Sequence, residues 1–455
     1  MGRNPLRRCL PMIAAGLLCL LAACASTPVH SAYPPILFVH GNGDNAAIWM
    51  STIWRYESNG WPRERLHALD LPNPMARDDD ATPQEGRSST EDYRRFIAAE
   101  VERVLAATGA KQVVLIGSSR GANAIRNYIE NDAGRRTVSH AIIAGGTSHG
   151  VWADAAIRPR NEFNGAGPFL SGLNAPKGPN GDEVTPGPRW MTLRSDHEDK
   201  YSQPYGTWLG MPDMQTHVTF DGPALKGALN VVLPGLDHRE VAFHPKAFEK
   251  SFEFITGHPP AVLEPVPESR VTLDGVVSGY PASGPTNLPL TGAGIEVFAV
   301  NGDTGARLGA ALVDKIAGAD GHWGPMTTDP RTPLEFVITA SGYATTHIYH
   351  PPFVRSSAVV DLRAELMPDA NRDAECVVTL MRTQGYFGLP RDRVELAGIV
   401  PAPGIPVGVP GAYASTAKLH DCEGRSVTGR FNGHVITGIA RAVKNNHIVQ
   451  LELHD

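Results

Sequence analysis

The sequence predicts an α/β fold, a mostly parallel sheet flanked by helices, followed by an all-β sandwich or barrel region. Two changes of texture carry this reading. Over residues 34–257, short apolar β-rich runs alternate with stretches of helical periodicity, the pattern of a parallel sheet covered on both faces. Residues 258–268 then hold four prolines with little helical signal and read as a linker, after which short β-type runs are separated by Gly, Pro, Asn and Asp turns. With 455 residues, at roughly 150 per domain, the chain has room for two or three domains.

Taken in order, residues 1–24 carry Arg3, Arg7 and Arg8, an apolar stretch over 10–23, and Cys24. These are the regions of a secretory signal, and the apolar stretch is too short to span a bilayer as a stable helix. Leu21-Ala22-Ala23-Cys24 resembles a bacterial lipoprotein box, which implies a diacylated Cys24 as the new N-terminus of an exported, membrane-anchored protein. Ala25, where Asp would be a retention signal, points to the outer membrane of a Gram-negative host. The alternative is an ordinary cleaved signal and a secreted protein. Cleavage before Cys24 removes three arginines and no acid, taking the net charge from −6 to −9.

Strands are expected at 36–39, 66–69, 113–116, 141–144, 190–193 and 231–233. Between them Tyr93, Phe96, Ile97, Val101, Val104 and Leu105 recur at helical spacing, and Gly109 stops that helix. Beyond the linker, β-type runs fall at 271–277, 294–300, 334–340 and 359–366. Residues 275–342, with turns at Thr304-Gly305 and Ala319-Asp320-Gly321 before Gly342-Tyr343, resemble the prealbumin-like modules of many secreted proteins. Similar strands continue over 374–455, either completing one sandwich or forming a second sub-domain divided near 368–374.

Lys plus Arg number 41 against 47 Asp plus Glu, with no long basic tract, so nucleic acid is excluded as a partner. Five cysteines are too few for a disulfide scaffold, and no C-x-x-C pair or H-x-x-x-H run indicates a structural metal. No cofactor is expected. Export permits Cys376 and Cys422 to pair; two separate buried thiols are the alternative. The oligomeric state is not legible.

The chemistry centres on Gly117-Ser118-Ser119-Arg120-Gly121, a G-x-S-x-G pattern. The bare pattern is weak, but it follows the apolar strand 112–116 and opens a helix-like run over 122–129, the strand, tight turn and helix of a nucleophile elbow. Upstream, residues 37–43 end a strand with the turn His40-Gly41-Asn42-Gly43, where one backbone N–H is supplied to an oxyanion; the N–H of Arg120 is the second donor. His40 is read as structural, and Ser118 occupies the wrong slot between the glycines. An acid and then a base must follow the nucleophile. Strand 190–193 runs into Asp196, Glu198 and Asp199, and strand 231–233 into Asp237-His238. His238 is the favoured base. Asp237, directly before it, would point away. Asp199 precedes Gln203-Pro204 at a spacing that resembles some fungal lipases and is preferred to Asp196, which would otherwise cap the loop.

Together these residues resemble the α/β-hydrolase superfamily, more narrowly the secreted bacterial and archaeal triacylglycerol lipases, over roughly 34–257. Residues 169–174, Phe-Leu-Ser-Gly-Leu-Asn, are similar to a segment many bacterial lipases carry between elbow and acid. The resemblance implies the α/β-hydrolase fold, Ser119 as nucleophile, His238 as base, Asp199 as orienting acid, and Asn42 with Arg120 as oxyanion donors. It also implies that the β-half helps bind long acyl chains. Ser118 departs from the His frequent in lipase elbows. Residues 147–189, rich in Gly and Pro with Trp152, Phe163 and Phe169, are a candidate cap, the alternative being a long surface loop. The leading function is an exported serine carboxylic-ester hydrolase, a lipase in the narrower reading, with an ester or lipid substrate. The competing functions are a polyester depolymerase or acyltransferase with the same triad, and a non-enzymatic surface-binding lipoprotein.

Overall fold

The computed structural model describes residues 1–2 and 33–454; the expected signal-type stretch over 10–23 and Cys24 lie outside the described residues. Strand β1 (Ile36–Val39) is buried along its whole length. Successive side chains point to opposite faces, so Ile36 and Phe38 join one core and Leu37 and Val39 the other. Five more strands follow: β2 (Leu66–Ala68), β3 (Val113–Ser118), β4 (Val138–Ala144), β5 (Arg189–Arg194) and β6 (Leu229–Val232). Their spatial order is β6-β5-β4-β3-β1-β2, with every pair parallel. The chain steps from β1 to the edge at β2 and then crosses to β3 on the other side of β1. That reversal opens a crevice at the carboxyl ends of β1 and β3.

Helix α1 (Met50–Ser58) precedes β2, α2 (Thr90–Thr108) precedes β3, α3 (Arg120–Asn131) follows it, and α4 (Pro245–Thr256) closes this half. Tyr93, Ile97, Val101 and Val104 of α2 are buried, with Phe96 and Leu105 packed beside them. Ser89 and Asp92 form a reciprocal capping box at the start of α2, a feature worth about 1 kcal/mol. Gly109 ends the helix at φ 64°.

In the C-terminal half the main sheet has seven strands: β7 (Gly294–Ala299), β8 (Val313–Ile316), β9 (Leu334–Thr339), β10 (Thr345–His350), β11 (Cys376–Arg382), β12 (Ala414–Leu419) and β13 (His447–Leu453). Their order is β8-β7-β9-β10-β13-β11-β12. The last strand inserts between β10 and β11, parallel to both. One sheet therefore runs across 368–374. A three-stranded sheet of Val394–Leu396, Ser426–Phe431 and His434–Ile439 shares a core with β11 and β13. Cys376 and Cys422 are joined in a disulfide with Cα atoms 6.2 Å apart.

The two halves share α1. Trp49, just before it, and Tyr56 pack into the parallel-sheet core, whereas Met50 and Trp54 belong to the core of the β-half. Residues 258–268 are tied along the end of this helix. Asn59 Oδ1 accepts from the N–H of Ala261 at 2.7 Å and of Val262 at 3.1 Å, and the Val266 N–H donates to Ser58 Oγ at 2.8 Å. Tyr33–Asp455 accordingly form one compact unit. No helix among the described residues is long and apolar enough to cross a membrane.

Candidate active site

The turn after β3 forces Ser119 to φ 53°, ψ −117°, an unusual conformation for a residue with a side chain. Its neighbours explain why glycine is needed on both sides. A Cβ on Gly117 would lie 2.6 Å from Ile125 Cδ1, and one on Gly121 would lie 2.4 Å from the His40 carbonyl oxygen. Only bare backbone lets β1, β3 and α3 approach this closely.

Three side chains from three strand ends then meet. His238, in the loop after β6, has Nε2 3.0 Å from Ser119 Oγ and Nδ1 2.9 Å from Asp199 Oδ2. Asp199 and His238 are buried and Ser119 is half-buried. Asp199 Oδ1 also accepts from the Tyr201 N–H at 2.8 Å. Gln203 Nε2 donates to the Asp199 carbonyl at 2.7 Å, so the Gln-Pro pair braces the loop that carries the acid. Asp196 does not reach His238. Its Oδ1 accepts from the N–H groups of His197 at 2.7 Å and Gly235 at 3.1 Å, tying the two loops together. Asp237 points away from the cleft: Oδ1 accepts from the N–H groups of Arg239 and Glu240, and Oδ2 from that of Tyr386. Burial and nearby Glu240 push the Asp237 carboxyl up to about 6, against the opposing pull of Arg382 and Arg391.

The turn facing Ser119 is equally fixed. Gly41 abuts Ser119: a Cβ on it would lie 3.2 Å from Ser119 Cβ. Asn42 lines the same cleft as Ser119 and His238. Its side chain is engaged elsewhere, with Oδ1 accepting from the Ala76 N–H at 2.7 Å. Arg120 is the first residue of α3, and N–H groups of a first turn have no acceptor within the helix. The Arg120 side chain is buried, and its five donors are engaged by Glu162, the Pro74 and Ser88 carbonyls and Ser88 Oγ. This pairing anchors the candidate cap segment, which contributes Val151 and Phe163 to the cleft. His40 holds the turn: the Leu71 N–H donates to Nε2 at 3.1 Å, so Nδ1 bears the proton and donates to the Gly41 carbonyl at 2.8 Å. Burial pushes its imidazole down to about 4, and it stays neutral.

Residues 34–202 match the family model for the alpha/beta hydrolase fold, and residues 269–367 match that for the lipase C-terminal domain. The chain carries an α/β-hydrolase domain. A lipase-type C-terminal module follows it, and the two matches support a hydrolase of the lipase and esterase kind at family level. No curated protein matches the chain. Among solved structures, it is similar to the mature lipase BlEst2 of Bacillus licheniformis, at 18% identity over 50% of this chain and 93% of that one, with a TM-score of 0.36. It is also similar to Aspergillus fumigatus lipase B (14% identity, 51% and 54% coverage, TM-score 0.36) and to the phospholipase PlaB of Legionella pneumophila (12%, 73% and 94%, TM-score 0.33).

Several residues around this site escaped the sequence reading, because the β-half supplies or holds them. Tyr386 lines the cleft beside Tyr201. Arg239 donates to Asp44 at 2.5 Å and to the Thr383 carbonyl at 2.6 Å. Arg382 and Arg391 converge on Asp237 and Glu240, the acids flanking the His238 turn. Asn42, Asp44 and Arg239 separate the cleft, of about 120 Å³, from a crevice of about 300 Å³ whose far wall includes Tyr280, Arg363 and Glu365. No local motif marks these residues.

Proposed function

We propose that this protein is an exported serine carboxylic-ester hydrolase, a lipase in the narrower reading, that acts through an acyl-enzyme on Ser119. The observation that carries the reading is the hydrogen-bonded line from Ser119 Oγ through His238 to Asp199, at 3.0 and 2.9 Å. Ser119 Oγ donates its proton to His238 Nε2 as it attacks the ester carbonyl. Asp199 accepts from His238 Nδ1–H, which fixes the tautomer and stabilises the imidazolium that forms. The N–H groups of Asn42 and Arg120 receive the developing oxyanion, each such donor typically worth about 3 kcal/mol. His238 returns the proton to the leaving alcohol, and water then releases the acid by the reverse sequence. Val151 and Phe163 offer apolar surface to the acyl chain.

Anchoring belongs to the same proposal and rests on Arg3, Arg7, Arg8 and the Leu21-Ala22-Ala23-Cys24 box. Two acyl chains on Cys24 would hold the enzyme stably at a bilayer, where one would not. The test is hydrolysis of p-nitrophenyl esters of increasing acyl length and of triglyceride emulsions, by the parent and by Ser119→Ala. Turnover by the parent is expected to fall by at least about 10⁴-fold in the variant while its circular dichroism is unchanged. Equal turnover by a folded Ser119→Ala protein would sink the proposal.

A further inference from the structure

Strands β10 and β13 bring together two histidine pairs, and the protein treats them differently. In one, His347 Nδ1 lies 2.8 Å from Glu335 Oε1 and its Nε2 lies 2.8 Å from His447 Nδ1, so both nitrogens of the buried ring are engaged. The other pair is His350 and His454. Tyr349 sits opposite Leu451 in the parallel register, which places His350 next to Glu452. The period of two along a strand puts His454 on the same face as Glu452.

The His350 and His454 ring centroids are 3.8 Å apart, and His454 Nε2 is 3.3 Å from Glu452 Oε1. One ligand-type atom from each of the three residues lies within 4.8 Å of the other two. Both ring nitrogens of His454 are shielded from solvent, yet neither makes a hydrogen bond. Buried polar atoms are normally paired, so this ring is short of a partner. A protonated His454 beside Glu452 would still leave its second nitrogen without an acceptor.

The setting is that of a ligand sphere. His350 Nδ1 is 2.7 Å from the Pro351 carbonyl, so Nδ1 carries the proton and Nε2 keeps its lone pair. A backbone carbonyl on the far nitrogen is the usual brace of a metal-bound histidine. The Phe353 ring stacks on His350 at 3.9 Å and 10°, which fixes the plane of the imidazole. His454 also borders a crevice with Pro351, Val354 and Phe431, a route of entry from solvent.

We infer that His350, Glu452 and His454 form a binding site for a divalent transition-metal cation of the zinc class, with two imidazole nitrogens and one carboxylate oxygen as ligands. Tetrahedral zinc with ligands at about 2.0–2.1 Å needs ligand atoms about 3.4 Å apart. Side-chain rotation closes the remaining gap, and water fills the fourth position. None of the three residues lines the triad cleft. The cation joins the end of the last strand, β13, to the end of β10 and acts on stability; the site is independent of the ester-hydrolase reading.

The test is calorimetric titration of the chelator-stripped full chain with Zn²⁺ alone, followed by thermal melting. One saturable site that raises Tm is expected in the parent and in the control His447→Ala. Binding is expected to weaken at least about tenfold in His350→Ala, His454→Ala and Glu452→Gln. Absence of saturable zinc binding in the parent overturns the inference without recourse to any variant. So does zinc bound equally well by a folded His350→Ala/His454→Ala double variant.

Discussion

The parallel-sheet half and the β-half meet at the same cleft but do different work there. The first carries the three side chains that meet in one hydrogen-bonded line: Ser119 after β3, Asp199 after β5 and His238 after β6. The second carries none of these three, yet Tyr386 forms part of the cleft wall and two of its arginines grip the acids beside His238. It also buries Met50 and Trp54 of α1 in its own core. The difference teaches that a module without a catalytic motif is here part of the architecture of the site.

The sharpest way to break this comparison is to express residues 25–257 alone. Loss of the β-half would expose Met50 and Trp54 and strip the arginine partners from Asp237 and Glu240. The fragment is expected to lose cooperative melting and to lose activity on butyrate and palmitate esters alike. A fragment that melts like the full chain and fails only on palmitate would restore the accessory role. Within the reacting half, Asp199→Asn is expected to lower kcat by about 10⁴-fold through loss of the correct His238 tautomer. Asp196→Asn, which disturbs the loop contacts to Ser195, His197 and Gly235, is expected to stay within about tenfold of the parent. Steady-state kinetics on a soluble ester separates the two, and the reverse ranking would move the role to Asp196.

Across the interface, Arg382→Ala removes a guanidinium that donates to Glu240 Oε1 at 2.6 Å and to the Tyr386 carbonyl at 2.9 Å. Removing one partner of a buried ion pair typically costs about 3–5 kcal/mol, and Arg391 remains to limit the damage. Denaturant unfolding is expected to show about 3 kcal/mol of lost stability together with a lower kcat. Unchanged kcat would mean that the β-half holds the fold but not the His238 turn. The smallest effect is acid sensitivity in the β-half. Glu335 is buried, which raises its carboxyl, but His347 and Arg307 more than offset this and hold it down to about 2. Because that value lies below the unfolded one of about 4.5, the stabilisation is present above pH 4.5 and is lost as pH falls toward 2. The Glu335→Gln variant is expected to show a shallower decline in Tm across that window.

What could be read from the sequence follows the range of the physics involved. The elbow was legible because its strain, glycines and flanking strand and helix lie within about 20 adjacent residues. Asp199 was favoured over Asp196 by the nearby Gln203-Pro204, and Gln203 braces the backbone of Asp199. The inner strands β1, β3, β4 and β5 are legible as apolar runs because both sheet faces are covered there. The β-half is legible as strands and turns of a β module, but not in how its strands pair. Its sheet depends on β13 pairing with β10 and β11, at separations that no periodicity encodes. Tyr386 and Arg382 carry no local pattern, and the Cys376–Cys422 pairing needed distances that a sequence does not hold.

The central claim, that Ser119 is the nucleophile of a hydrogen-bonded triad, is tested most directly by covalent labelling. The full chain would be treated with a fluorophosphonate and its intact mass and peptide map recorded. We expect a single adduct, located on Ser119, absent from Ser119→Ala and formed far more slowly by His238→Ala. An adduct on any other residue, or an esterase that takes up no label, would contradict the account.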